Sequence, residues 1–288
     1  MKRQGIMLAY PFEEKRLLAW NDAVIVQPKL DGERCRMFID IEPILVSSTG
    51  ELQNFAVPSL VEAGRILFLQ TGRRYELDGE LYIHGEDFNE IHSIVSRTTH
   101  LHPMEHKMEF HIFDLVDENT SQILRLRQLI QLAELFPPNF KLVKSTAAET
   151  LVDVRSIFNQ YVNEGYEGIV VRNIDAPYIR RRSPFVMKFK PKRSDVYNIA
   201  GWVEGKGKYA GTIGTILCVD DTQMTFEVGS FSVNDEDRKL LWDMRETLTQ
   251  FACKVNYQHK WPSGAPKSAV FVTLVDRIGV VEDVNPLI

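Results

Sequence analysis

The chain has 288 residues, longer than a typical single domain, and its 44% hydrophobic content is enough for two modest cores. Cys35, Cys218 and Cys253 are widely spaced and form no C-x-x-C pair, which argues against a disulfide framework or a cysteine zinc site and fits a reducing cytoplasm. The net charge of −5 is not that of a typical polyanion binder, and Glu13, Glu14, Lys15 and Arg16 interrupt the early apolar stretch, so neither a signal peptide nor a membrane span is expected.

Along the chain, alternating and β-branched runs predict strands at Val24–Pro28, Arg34–Asp40, Glu76–Ile83, Met108–Val116, Gly168–Asn173 and Phe185–Lys190. Helical periodicity marks Val57–Gln70, with Pro58 near its start, Phe88–Val95 and Ser121–Phe136. Thr146-Ala147-Ala148-Glu149 reads as a capping box opening a helix with the apolar stripe Leu151, Val154, Ile157, Phe158 and Tyr161, and Gly165 can end it. A hinge is expected near Lys192–Val196. Beyond it, strands at Asn198–Val203, Ile213–Val219, Thr225–Val228, Cys253–Tyr257 and Val270–Asp276 surround one polar helix over Asp235–Leu248, which Asn234 can cap. This order predicts an α+β domain over residues 1–193 and a small OB-type β-barrel over 194–288.

Charge is focused although the net value is low. Between Ile179 and Lys208 nine basic residues face only Asp195 and Glu204, while the remainder carries 25 basic and 37 acidic residues. Such a stripe holds phosphates on one face while the rest keeps the protein in solution. A solvated charge run is the plainer reading of the stripe alone.

Gln27-Pro28-Lys29-Leu30-Asp31-Gly32-Glu33-Arg34 places one lysine between apolar flanks with an arginine five residues on. A lysine amine in water is a poor nucleophile at neutral pH, and neighbouring cations with partial burial make it a better one. Further on stand Glu76-Leu77-Asp78-Gly79-Glu80-Leu81, Phe110-His111-Ile112-Phe113-Asp114, Glu167-Gly168-Ile169-Val170-Val171-Arg172 and Met187-Lys188-Phe189-Lys190. Asp78 alternates with Glu80, and Lys188 with Lys190, so each pair projects to one strand face.

In kind and order these five blocks resemble motifs I, III, IIIa, IV and V of the covalent nucleotidyltransferases, the superfamily of ATP-dependent DNA ligases, RNA ligases and mRNA capping enzymes. Met7-Leu8-Ala9, Gly201-Trp202-Val203-Glu204-Gly205-Lys206-Gly207-Lys208 and Gly229-Ser230-Phe231 are similar to small ATP-dependent DNA ligases of the phage type, so the resemblance covers nearly the whole chain. It implies a nucleotidyltransferase domain followed by an OB domain, ATP as co-substrate, Mg²⁺ (with Mn²⁺ as substitute), nicked double-stranded DNA as partner and a cytoplasmic monomer.

The resemblance also implies roles. Lys29 would carry AMP as a phosphoramidate, with Lys188 and Lys190 neutralising the α-phosphate and sharpening the nucleophile. Gln27 would sit beside the base, where many relatives carry Glu. Phe113 would stack on adenine, Glu80 would contact the ribose, and Arg34 and Arg182 would touch sugar or phosphate. Glu167 would be the main metal ligand, with Glu80 and Asp78 as further candidates, Asp78 alternatively serving packing. Gly205-Lys206-Gly207-Lys208 lacks P-loop spacing and fits a DNA-backbone contact or a plain hairpin.

Two departures stand out. Where relatives carry Ser-Arg-x-Gly, this chain reads Ser47-Ser48-Thr49-Gly50, so an arginine expected to touch phosphate is missing, with Arg36 or Arg65 as candidate replacements. Near the C-terminus the basic motif that orients pyrophosphate is only partly matched, with Lys267 and Arg277 as candidates. Rival readings are an RNA ligase or capping-type enzyme and a catalytically weakened nucleic-acid-binding protein.

Overall fold

The computed structural model describes residues 3, 5–20, 23–191, 193–220, 222–257, 260 and 263–276. The chain divides between Lys190 and Pro191 into two compact units. In the first unit, strands β1 (Leu8–Pro11), β2 (Val24–Pro28), β3 (Glu33–Ile39), β4 (Ile44–Ser47), β5 (Tyr75–Tyr82), β6 (Glu109–Leu115), β7 (Phe140–Leu142), β8 (Thr146–Ala148), β9 (Ile169–Asn173) and β10 (Arg182–Phe189) build two five-stranded sheets. Their orders are β1-β10-β9-β2-β8 and β4-β3-β5-β6-β7. Helices are α1 (Glu14–Ala19), α2 (Pro58–Thr71), α3 (Phe88–Val95), α4 (Gln122–Ala133) and α5 (Leu151–Asn163).

Every residue of β2 is buried, as the apolar run Val24–Val26 requires of a strand flanked on both edges, and the polar Gln27 is buried with it. The chain leaves this sheet at Pro28 and enters the second at Glu33, so the short link Lys29–Gly32 bridges the two sheets. That link runs against β5, where a Cβ on Gly32 would stand 2.3 Å from the Leu81 carbonyl oxygen. The second sheet buries Met37, Leu77 and Phe110 with Leu60, Leu67, Ile91 and Leu129 from its helices, and the first packs Val26, Ile169 and Val171 against Val154 and Tyr161 of α5.

Several local expectations are corrected. Thr146–Ala148 is not a cap but β8, which pairs with β2 from Val24 to Val26. The capping box is one turn later, Thr150 with Asp153, because Thr146 is already committed to a ladder. α4 stops at Ala133, ahead of Phe136 and the Pro137 that no helix interior tolerates. β1, α1, β4 and β7 were not anticipated, being too short to show a period.

The second unit contains β11 (Arg193–Glu204), β12 (Ile213–Val219), β13 (Thr225–Val228), β14 (Ser230–Phe231), α6 (Asp235–Asp243), β15 (Phe251–Tyr257) and β16 (Val270–Asp276). Lys192 lies outside the described residues, but Arg193–Val196, expected in the hinge, already pair with Tyr257–Lys254 of β15. The sheet order is β13-β12-β11-β15-β16-β14, and its two end strands are joined through Gly229 alone, so the sheet curls back on itself. A parallel β14–β16 pair and α6 between β14 and β15 complete an OB barrel with one strand more than expected. Asn234 caps α6 through the Asp237 amide at 2.8 Å, and the helix ends at Asp243, where a 3-10 turn over Arg245–Gln250 takes over. No helix among the described residues is long and apolar enough to cross a membrane.

Candidate active site

A cleft of about 340 Å³ lies in the first unit where the Lys29–Gly32 link joins the sheets. Its position follows from the backbone. The Lys29 amide donates to the Gly168 carbonyl at 2.9 Å and the Glu167 amide to the Lys29 carbonyl at 3.1 Å, which extends the β2–β9 ladder by one residue and sets Lys29 beside Glu167. Gly168 is required there: its φ is +143°, and a Cβ would stand 2.2 Å from the Phe189 carbonyl oxygen.

The side chains meet accordingly. Glu167, with 5% of its side chain exposed, forms ion pairs with both Lys29 and Lys190. Burial pushes its carboxyl up, but the two lysines outweigh this and hold it below the usual carboxylate range. Lys188 lines the cleft without an ion-paired carboxylate among the described residues; burial, then Lys190, Lys29 and Arg182, push its ammonium down, against the pull of Glu167. Arg182 donates to the Ala9 carbonyl at 2.6 Å and lies over the Tyr10 ring.

Glu80 also lines the cleft. Burial raises its carboxyl to about 8, helped by Asp78 and Glu33 and opposed by Lys29 and Arg34. A neutral carboxyl at this place both donates and accepts a hydrogen bond, which suits a sugar hydroxyl. Asp78 sits differently. Both its oxygens are taken by Arg34, at 2.7 and 2.6 Å, and one also by the Tyr178 hydroxyl, with 1% of the side chain exposed. Asp78 is not among the residues that line the cleft, and its two oxygens already accept three hydrogen bonds, from Arg34 and Tyr178.

Gln27 is 2% exposed and held at both ends of its amide. Its Nε2 donates to the Phe113 carbonyl and to Ser145 Oγ, each at 3.0 Å, and its Oε1 accepts from Arg172 Nε at 2.7 Å. Phe113 lies beneath two guanidiniums, with Arg34 4.5 Å and Arg172 5.3 Å from the ring centroid. Sequence reasoning missed this supporting network. Asp114, at the end of the Phe110–Asp114 block, binds Arg125 in both directions and Arg172 at 3.1 Å, and Gln122 joins both arginines. Asp114 and Arg172 each ended a recognised block, so a signal existed; Arg125, fully buried on α4, carried none.

The candidate replacements for the missing arginine do not reach the cleft. Arg36 is engaged with Glu76 at 2.6 Å and Arg65 with Glu62 on the surface of α2, and neither lines the pocket. Ser48, in the position of that arginine, does line it. Arg180, part of the basic stripe, is neutralised by Glu76 and Glu118. Lys267 belongs to the second unit, in the turn before β16, and Arg277 lies outside the described residues.

The profile described as "ATP dependent DNA ligase domain" matches residues 6–190, most of the chain and the whole of this cleft apart from Arg3. The chain belongs to the ATP-dependent DNA ligase domain family. The resemblance read from the motifs and the enzyme class it implied, an ATP-dependent DNA ligase, therefore hold. A DNA ligase of Haemophilus influenzae is 24% identical over 270 residues, covering 92% of this chain and 90% of that protein. Among solved structures, a Lig E DNA ligase described as binding DNA with a minimal scaffold superposes with a TM-score of 0.75 at 22% identity, covering 94% of this chain and 99% of that one. The bacteriophage T7 ATP-dependent DNA ligase in complex with ATP gives a TM-score of 0.57 at 17% identity, covering 94% and 98% of the two chains. These likenesses support the two-part fold.

Proposed function

We propose that this ligase seals nicks between a 5′-phosphate and a 3′-hydroxyl in duplex DNA, with the first unit, up to Lys190, as the adenylation domain and the second, from Pro191, as the OB domain, three residues earlier than the boundary expected at 193. One observation carries the reading: Lys29, Glu167 and Lys190 form one ion-paired group in a nucleotide-sized cleft, with Lys188 beside them. Lys29 Nζ attacks the α-phosphorus of ATP, the bond to the bridging oxygen breaks, and pyrophosphate leaves with AMP now on the lysine. The 5′-phosphate of the nick then displaces Lys29, and the 3′-hydroxyl displaces AMP to close the strand.

Each chain residue has a physical task in this scheme. Lys29 is engaged by Glu167 in the present state and must leave that ion pair before it attacks. Phe113 offers the base a flat apolar face, and Gln27, fixed by Arg172, presents a rigid polar edge next to it. Glu80 meets the ribose. Lys188, Lys190 and Arg182 compensate charge developing on the phosphate, the function preorganised cations serve best in a partly dry cleft. Arg34 is held by Asp78 with its guanidinium across Phe113, from where it steadies the nucleotide.

Of the carboxylates that line the cleft, Asp31, Glu33, Glu80 and Glu167, the last two would hold Mg²⁺ or Mn²⁺, which take one or two carboxylates together with substrate phosphates. Such an ion supplies charge neutralisation at the phosphates.

The test is to incubate the protein with labelled ATP or GTP and Mg²⁺, then add nicked DNA or nicked RNA. Label from ATP on the protein, moving to nicked DNA and leaving as AMP, is the expected outcome. Labelling from GTP alone, sealing of RNA alone, or no covalent label with salt-sensitive DNA retention would each replace this reading. Lys29→Ala is expected to abolish labelling while nick binding persists; a variant that still takes up AMP means another nucleophile.

A further inference from the structure

Seven cationic side chains line the cleft: Arg3, Lys29, Arg34, Arg172, Arg182, Lys188 and Lys190. Four of them are committed to buried carboxylates, Lys29 and Lys190 to Glu167, Arg34 to Asp78 and Arg172 to Asp114. Arg182 is turned to a backbone carbonyl. Arg3 is exposed, and its side chain, like that of Lys188, has no hydrogen bond or ion pair among the described residues.

The segment from Gly5 to Leu8 is firmly held. Ile6 and Met7 are 2% and 3% exposed, and the Met7 amide donates to the Tyr178 hydroxyl at 3.1 Å. Arg180 binds the Gly5 carbonyl at 3.2 Å, and Leu8 opens β1 beside Arg182 on β10. Gly5 has φ +68°, and its missing Cβ leaves room for the Arg36 guanidinium, which a Cβ would approach to 2.7 Å. Two positions before the held Gly5–Met7 segment, Arg3 lines the same cleft as Ser48, with no counter-charge among the described residues. The Ser47–Gly50 turn keeps its form, with Ser47 Oγ bonded to Thr49 and to the Glu51 amide, but its short Ser48 side chain supplies no cation.

We infer that Arg3 is a phosphate-binding residue of this site and supplies from the first segment of the chain the positive charge that the Ser47–Gly50 turn lacks. A guanidinium fork pairs with two phosphate oxygens at once, which Ser48 cannot do. The phosphate is either that of ATP or the 5′-phosphate of the nick. This inference rests on the ligase reading above.

The experiment compares the wild-type chain with Arg3→Ala in two separate steps: uptake of label from ATP, and transfer of AMP from pre-labelled enzyme to a nicked duplex. Loss of one charge-assisted contact predicts a fall of about 10- to 100-fold in the affected step, with an unchanged melting temperature because Arg3 is exposed. A fall confined to labelling assigns the phosphate to ATP, and a fall in transfer assigns it to the nick; either supports the inference. Introducing Ser48→Arg into Arg3→Ala is expected to restore the affected step. Equal rates for wild type and Arg3→Ala in both steps, or a deficit that Ser48→Arg leaves untouched, would overturn it. Absence of label on the wild-type chain would instead refute the ligase reading itself, so the two failures are distinguishable.

Discussion

Replacing Asp78 with Asn keeps the side-chain shape, removes the charge and separates two roles for this residue. The carboxylate, 1% exposed, accepts from Arg34 Nε and Nη2 at 2.7 and 2.6 Å and from the Tyr178 hydroxyl. An Asn amide must turn its NH₂ toward one of these donors, leaving a buried guanidinium without a counter-charge. Breaking such a pair costs about 3–5 kcal/mol. Arg34 keeps 24% of its side chain exposed and regains some hydration, so about 3 kcal/mol is expected, a large share of the stability of an ordinary domain. Urea denaturation of wild type and variant measures this directly. In parallel, the Mg²⁺ concentration for half-maximal labelling, measured where the variant is folded, should stay within about two-fold of wild type, since Asp78 acts through Arg34. A stability loss below about 1 kcal/mol with a roughly tenfold rise in the Mg²⁺ requirement would refute the reasoning and make Asp78 a metal ligand.

Glu80 gives a pH-dependent test. With its carboxyl raised to about 8 from 4.5, mainly by burial, the folded chain retains a proton that the unfolded chain releases. Stability of the wild type relative to Glu80→Gln should therefore fall as pH rises from 4.5 to about 8 and level off above it; paired urea denaturations showing a constant difference would contradict this. Thr150→Ala removes one half of the capping box and should cost about 1 kcal/mol, with labelling by saturating ATP unchanged, and a loss of labelling in the folded variant would mean that α5 bears on the site.

The strands that carry the site are readable because they are long and alternate, or open on an apolar β-branched run as β2 does with Val24–Val26. Thr146–Ala148 misled because a Ser/Thr ahead of an apolar stripe signals a cap only if no neighbouring strand claims its backbone, and β2 does. Lys29, Glu167, Lys188 and Lys190 were selected by type and order, and the cleft contains all four. Arg36 and Arg65 were plausible by proximity in sequence, yet each is claimed by its own carboxylate.

By itself the sequence determined the elements whose periods are local and the glycines that close contacts demand, together with the chemical inventory of lysines, carboxylates and an aromatic. Only the tertiary structure decided which charge answers which. Gln27 and Arg172 are 145 positions apart, and Arg34 and Asp78 are 44 apart. Pairing over such separations is set by sheet register and by the cost of burying an unmatched charge, neither of which is written in any short stretch of residues.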